Sequence, residues 1–271
     1  MDADTIVIVT AHDEADRLGE TLAALSRAFP GARVLVADDG STDGSAEVAV
    51  QGGAEVVRSE KVIGKGGIAT LAARRVLSRA LEPDPPVFVL VDGDLAESAA
   101  QLPALADAVR AGRCDLAVAV FASRVGGGFG FAIGFAHKAI RHLTGLDLQA
   151  PISGQRALSG PAFATVVPFA PRFGMEIGMT VDAARAGFRI EEIPLDLAHR
   201  ATGRTWRGFA HRAIRRLTGL DTTAPISGQR ALSGPVFALV VPFAPRFGME
   251  IGMTVDAARG GFVIEEVQLD L

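Results

Sequence analysis

The run "VFVLVDGDLAES" at residues 87–98 carries five apolar residues into two aspartates, Asp92 and Asp94, that flank a single glycine. Two carboxylates this close at the end of a buried strand repel each other unless something cationic lies between them. A divalent metal is the economical partner. Oxygen ligands in this number suit Mg²⁺ or Mn²⁺, which rarely receive a full protein cage and instead share the phosphate oxygens of a substrate. The chemistry so implied is a strand that delivers carboxylates to a metal, which in turn holds a diphosphate. Other strand ends offer comparable groups: "AHDEADRL" follows "IVIVT", and "DDGSTDGS" follows "RVLVA". Asp, Gly and Ser are also ordinary turn and cap residues, and Asp43, ahead of "GSAEVAV", reads as a helix N-cap.

These groups need elements to hold them. Short β-branched runs alternate with amphipathic stretches: "TIVIVT", a helix from Glu14 to Phe29, "ARVLVA", a helix from Asp43, "AEVVRS", a helix from Lys65 to Leu81, "PVFVLV", a helix from Ser98, and "DLAVAVF". This order predicts an α/β fold with a mostly parallel central sheet and helices on both faces. Strands buried on both faces read as continuous apolar runs, and in open α/β sheets the ligand crevice lies beyond their carboxyl ends. The glycine- and phenylalanine-rich stretch from Ser123 to Phe135 reads as a loop leading into the helix "GFAHKAIRHLTG".

Composition narrows the function classes. The 271 residues are 49% hydrophobic and 21% charged, an ordinary globular balance. A formal net charge of -4, with the positive charge nearly all arginine and scattered, gives no footprint for nucleic acid. The single cysteine, Cys114, has no intramolecular partner and reads as a small apolar residue near the strand "DLAVAVF". The start "MDADTIVIVTAHDE" is acidic, unlike a signal peptide, and no apolar run approaches the roughly 18 residues of a membrane span. The expected address is the cytoplasm, with peripheral membrane contact where the acceptor is a lipid.

At "TAHDE", "ADDGSTDGS", "GKGG" and "DGDL", in that order, the chain resembles glycosyltransferases of the A-type fold, both family 2 and the glucosyl-3-phosphoglycerate synthase-like enzymes. The segment 167–200 resembles the part of those synthases in which a glutamate lies near the reacting sugar and a histidine after the last strand completes the metal site. The resemblance covers nearly all of residues 5–207. It implies transfer of a sugar from a nucleotide-diphosphate donor with Mg²⁺ or Mn²⁺. Carried over by position, it implies that Ala11 and Glu14 border the nucleoside, Asp38 reads the base with help from Asp39, and Lys65 approaches the diphosphate. Asp92 would lie near the ribose and metal, Asp94 and His199 would ligate the metal, and Glu176 would face the donor sugar or acceptor. "PISGQRALSG" resembles the acceptor-side loop, with Arg156 as an anion contact. Taken alone, His199 reads equally as a surface histidine, and Lys65 as a solvated residue at a helix start. The acceptor stays open between a phosphorylated small molecule, a sugar and a polyprenyl phosphate, and so does the stereochemical course.

Residues 208–271 repeat residues 134–197 at an offset of 74, differing at ten of 64 positions. Two copies are too few for a solenoid, and a sheet built by residues 1–121 has room for one of them. The expected organisation is a catalytic domain at 1–207, with a nucleotide-binding part at 1–121 and an acceptor and metal-completing part at 122–207. Residues 208–271 follow as an incomplete repeat: a plain tandem duplication, a dimerisation or regulatory module, or a second copy that takes the berth of the first. A spare copy is expected to drive self-association or remain loosely ordered. Two alternatives accompany the transferase reading. One is a binding module whose site the duplication has spoiled. The other is a sugar-1-phosphate nucleotidyltransferase, which should carry an "LAGG"-like loop after the first strand, where this chain has "TAHDEADRL".

Overall fold

The computed structural model describes residues 5–78, 86–121, 130–170, 174–197, 218–220, 231–240 and 249–265. The chain divides into two compact units, Met1–Val125 with Gly130–Arg200, and Gly126–Phe129 with Ala201–Leu271.

The first unit is built on a seven-stranded sheet in the order β3-β2-β1-β4-β6-β5-β7. Its strands are β1 (Thr5–Ala11), β2 (Arg33–Asp38), β3 (Glu55–Arg58), β4 (Val87–Asp92), β5 (Leu116–Phe121), β6 (Arg156–Leu158) and β7 (Ile190–Leu195). All pairings are parallel except those of β6, which runs antiparallel to both β4 and β5. The mostly parallel sheet expected from the sequence is therefore present. The short β6 lies in "PISGQRALSG", which was expected as a loop.

Helices cover both faces. On one face α1 (Ala15–Ala28), the 3-10 turn Ala96–Gln101 and α4 (Pro103–Arg110) bury Leu18, Leu22, Leu102 and Leu105 against Val7, Val9, Val89 and Val91. On the other, α3 (Lys65–Leu77), α6 (Gly160–Val166) and α7 (Met175–Arg185) bury Ile68, Ala72, Phe163 and Met179 against Ile8, Leu35, Phe88 and Leu90. Alternate residues of one strand thus enter opposite cores, which is why these strands read as unbroken apolar runs. Phe163 stacks on Phe88 with ring centroids 3.8 Å apart. Cys114 is buried in the first core, and burial pushes its thiol pKa up to about 11, so it behaves as the small apolar residue expected.

Three expected boundaries shift. The helix expected from Ser98 is a 3-10 turn followed by α4, because Pro103 suits a first helical turn but donates no N–H to continue one. The helix expected from Asp43 is α2 (Ser45–Gln51), with Gly44 at the cap position. The loop expected as far as Phe135 yields earlier to α5 (Gly130–Thr144); residues 122–129 lie outside the described ones.

In the second unit the described residues form α8 (Gly234–Val240) and α9 (Met249–Arg259), the counterparts of α6 and α7. Val236, Val240, Met253 and Ala257 make a small cluster of their own. Phe237 is 52% exposed, whereas its counterpart Phe163 is 0% exposed. A near-identical helix therefore has different burial in the two copies, and the sheet of the first unit contains the strands of the first copy. Phe237, Leu239 and Val263 are exposed apolar side chains, the kind of surface that association would cover. Truncation after Arg207 is accordingly expected to raise the monomer fraction without lowering the melting temperature of the remaining unit. Light scattering and thermal melts of both forms check this; a truncated chain that fails to fold would make the second copy part of the working structure.

Candidate active site

Three loops at the carboxyl ends of β1, β2 and β4 converge. The β1–α1 and β2–α2 loops are joined by side chain to backbone bonds. Asp13 N–H donates to Ser41 Oγ at 3.0 Å, Thr42 N–H to Asp13 Oδ1 at 2.8 Å, and Glu14 N–H to Ser45 Oγ at 2.9 Å. Asp43 accepts from Ala15 N–H at 2.9 Å and from Ser45 N–H at 3.0 Å, so one carboxylate serves the starts of both α1 and α2. Burial alone would raise its pKa, but the bonds from Ser45 and Ala15 hold it below the usual value. Ala11, the last residue of β1, and Glu14, at the cap of α1, are both buried beneath this joint.

Asp38 ends β2 and is 0% exposed. Its Oδ1 accepts from the N–H of Ser41 at 3.0 Å and from the Ser41 hydroxyl. Its Oδ2 has no hydrogen bond but faces Arg58 Nε at 3.2 Å. Arg58, at the end of β3, also donates to Ser41 O at 2.7 Å and so holds this carboxylate in place. The neighbouring Asp39 is turned away to a structural task. Its oxygens accept the N–H groups of Ile63 at 2.7 Å and Gly64 at 2.9 Å, fixing the loop that leads into α3.

That loop presents Lys65 as the first residue of α3. Its Nζ lies 2.7 Å from Asp92 Oδ1 and 2.8 Å from Glu176 Oε1, so the end of β4 and the first turn of α7 meet on one ammonium. Burial alone would lower the lysine's pKa; the charges of Asp92 and Glu176 more than reverse this and hold it above its ordinary value. Burial would raise that of Asp92, and Lys65, with bonds from Gln155 and Thr10, brings it below the usual carboxylate range. The cation that the sequence required beside Asp92 is thus supplied here by the chain itself.

Glycine is needed at two points around this cluster. A Cβ on Gly154 would fall 2.5 Å from both Lys65 Nζ and Asp92 Oδ2. A Cβ on Gly93 would press on Thr10 O at 3.3 Å, where the Gly93 N–H already bonds that carbonyl at 3.0 Å. The glycine between the two aspartates therefore lets the turn lie against β1. Thr21 of α1 braces the same turn, donating to Gly93 O and accepting from Ala96 N–H, both at 2.8 Å. Asp94 sits half-buried on this braced turn.

Arg156, expected as an anion contact, is 0% exposed. Its donors go to Ser153 O at 2.8 Å, Pro151 O at 3.1 Å and Thr180 Oγ1 at 2.8 Å, so it shapes the loop before β6 rather than reaching a ligand. Burial pushes its pKa down to about 10, opposed by Glu176 and Glu192, and it stays charged at neutral pH. The sequence reading did not single out Thr10, Arg58, Gly154 or Gln155. Gln155 Nε2 donates to Asp92 Oδ2 at 3.2 Å while its Oε1, like Ser153 Oγ, is buried without a hydrogen-bond partner. Their signal was adjacency, since Gln155 and Gly154 stand beside Arg156 in "SGQR".

The donor set suits a hard divalent cation, because Asp92 and Asp94 present carboxylate oxygens on one rigid turn. Among the described residues no group of three His, Cys, Asp or Glu forms a metal cage, and His199 lies outside them.

The chain is 30% identical over 247 residues to an undecaprenyl-phosphate mannosyltransferase of Micrococcus luteus, covering 84% of this chain and 98% of that protein. It is 27% identical over 211 residues to the glycosyltransferase AglJ of Haloferax volcanii, spanning 74% of this chain and 65% of AglJ. Among solved structures it resembles the glucosyl-3-phosphoglycerate synthase of Mycobacterium tuberculosis in complex with Mn²⁺, uridine-diphosphate-glucose and phosphoglyceric acid. That match has a TM-score of 0.58 and 27% identity, over 73% of this chain and 72% of the synthase. The same synthase with Mg²⁺ and uridine diphosphate matches at a TM-score of 0.59 and 27% identity, over 73% and 72% of the two chains. The profile of Glycosyl transferase family 2 matches residues 6–157, the span that holds every strand end described above from Ala11 to Asp92, and the chain belongs to that family.

Proposed function

We propose that this glycosyltransferase moves a sugar from a nucleoside-diphosphate sugar to a phosphate-bearing acceptor, with Mg²⁺ or Mn²⁺ bound at Asp92 and Asp94. The observation that carries the reading is the meeting of Lys65, Asp92 and Glu176 beside Asp94, at the strand ends where an open α/β sheet binds ligands. Asp38, held by Ser41 and Arg58, reads the base; Ala11 and Glu14 border the nucleoside. Asp39 acts through the backbone of Ile63 and Gly64, which sets where α3 starts and hence where Lys65 stands. Lys65 bonds the diphosphate and stabilises the charge that grows as it departs. Glu176, buried in the first turn of α7, faces the donor sugar or acceptor. His199 completes the metal ligands. When bound, the ion neutralises the leaving diphosphate as a Lewis acid.

A phosphate-bearing acceptor is the chemistry shared by the relatives whose names mention undecaprenyl phosphate and phosphoglycerate. Among the described residues no helix is long and apolar enough to cross a membrane.

Uridine or guanosine diphosphate is expected to stabilise the fold with Mn²⁺ present, because the carboxylates otherwise repel the diphosphate. At a hundredfold excess over Kd the gain is roughly 2.7 kcal/mol. Thermal melts with each nucleotide, with Mn²⁺ and with excess chelator, decide it. An equal shift in chelator would remove the metal from this account.

A further inference from the structure

Lys65 is engaged by acidic partners on two sides. Its ammonium lies 2.7 Å from Asp92 Oδ1 and 2.8 Å from Glu176 Oε1, joining β4 to α7. Asp92 is engaged on both its oxygens: Thr10 Oγ1 donates to Oδ1 at 3.2 Å, and Gln155 Nε2 to Oδ2 at 3.2 Å. The backbone of Gly154 closes over the pair, so near that a single added carbon would lie 2.5 Å from both Lys65 Nζ and Asp92 Oδ2. A divalent ion approaching Asp92 must therefore displace or repel an ammonium already at contact distance. The side chains stay about 30% exposed, so the contact is open to a competing anion.

We propose that Lys65 is a resident cation that keeps divalent ions off Asp92 until a nucleoside diphosphate arrives. In the ligand-free chain the ammonium offsets part of the negative charge of Asp92 and Glu176. Diphosphate oxygens then offer it a stronger partner, it leaves Asp92, and the freed carboxylate joins Asp94 as a metal ligand. Nucleotide and metal then bind together, which spares the enzyme an idle metal on the acidic turn. The inference rests on the nucleotide-sugar reading above.

Binding of Mn²⁺ to the full chain without nucleotide, followed by the loss of the aqueous ion's paramagnetic resonance signal, tests it. Lys65→Met keeps the apolar stem and removes the charge. It should bind Mn²⁺ about tenfold tighter than the unaltered chain or better, and adding Asp92→Asn should abolish that gain. Uridine or guanosine diphosphate should tighten Mn²⁺ binding by the unaltered chain far more than by Lys65→Met. A folded Lys65→Met that binds Mn²⁺ no tighter overturns the proposal.

A second measurement needs no variant. The chain has three lysines, Lys61, Lys65 and Lys138, so ammonium-selective nuclear magnetic resonance can follow Lys65 directly. Its signal should ignore millimolar Mg²⁺ alone and shift when nucleotide is added; a shift with Mg²⁺ alone overturns the proposal. Tighter Mn²⁺ binding by Lys65→Met, with no response to either nucleotide in any form, would support the ion-excluding role and overturn the nucleotide reading beneath it.

Discussion

Asp94→Ala is expected to abolish sugar transfer, lowering kcat by roughly 10²–10³-fold or more, while the melting temperature stays near that of the unaltered chain. Backbone and Thr21 bonds brace the turn that carries Asp94. Gly93 N–H bonds Thr10 O at 3.0 Å, and Ala96 N–H bonds Thr21 Oγ1 at 2.8 Å. Those bonds persist when the carboxylate is removed, whereas the oxygen donor proposed for the metal is lost. Steady-state kinetics with saturating donor and circular dichroism on the same preparation check both halves. The loss should fall on kcat more than on KM, because the charge it helps to balance develops as the diphosphate departs. Asp92→Ala would be a less clean experiment, since it also strands the Lys65 ammonium beside Glu176.

Arg156→Ala is expected to cost about 3–5 kcal/mol of stability, with activity falling because the protein unfolds. A fully buried guanidinium with three internal acceptors leaves Ser153 O, Pro151 O and Thr180 Oγ1 short of donors when it is removed, and a cavity besides. Arg156→Lys keeps the charge but not the planar fork, so it should recover only part of the loss. Urea melts give the stability and acceptor titration gives KM. An Arg156→Ala protein with unchanged stability and a raised KM for the acceptor would instead make Arg156 the anion contact that its loop resembles.

The frame of the fold was legible because its strands are buried on both faces. "TIVIVT" and "PVFVLV" are unbroken apolar runs, and β1 and β4 occupy them. The strand β6 was not legible. It is three residues long, begins with a charged residue, and draws its order from β4 and β5 on either side rather than from its own sequence. The Asp-Gly-Asp turn led to the expectation of a metal between its carboxylates, and the ligand-free chain has Lys65 against Asp92. That contact did not follow from the sequence, because Lys65 reaches Asp92 only through the folding of α3 against the sheet. Asp39 shows the same limit: its neighbour Asp38 has the same side chain, yet alternation along the strand end sends one inward to Ser41 and the other to the backbone of Ile63. The duplication was plain in the sequence, and the different burial of the two copies, at Phe163 and Phe237, was not.

The most direct test of the central claim is release of nucleoside diphosphate from a panel of uridine and guanosine diphosphate sugars by the full chain, with Mn²⁺ and then with excess chelator. The account predicts release from at least one donor that stops in chelator and is absent in Asp94→Ala. A folded chain that binds nucleotide yet releases none from any donor would contradict it, and would leave a nucleotide-sugar-binding module in place of an enzyme.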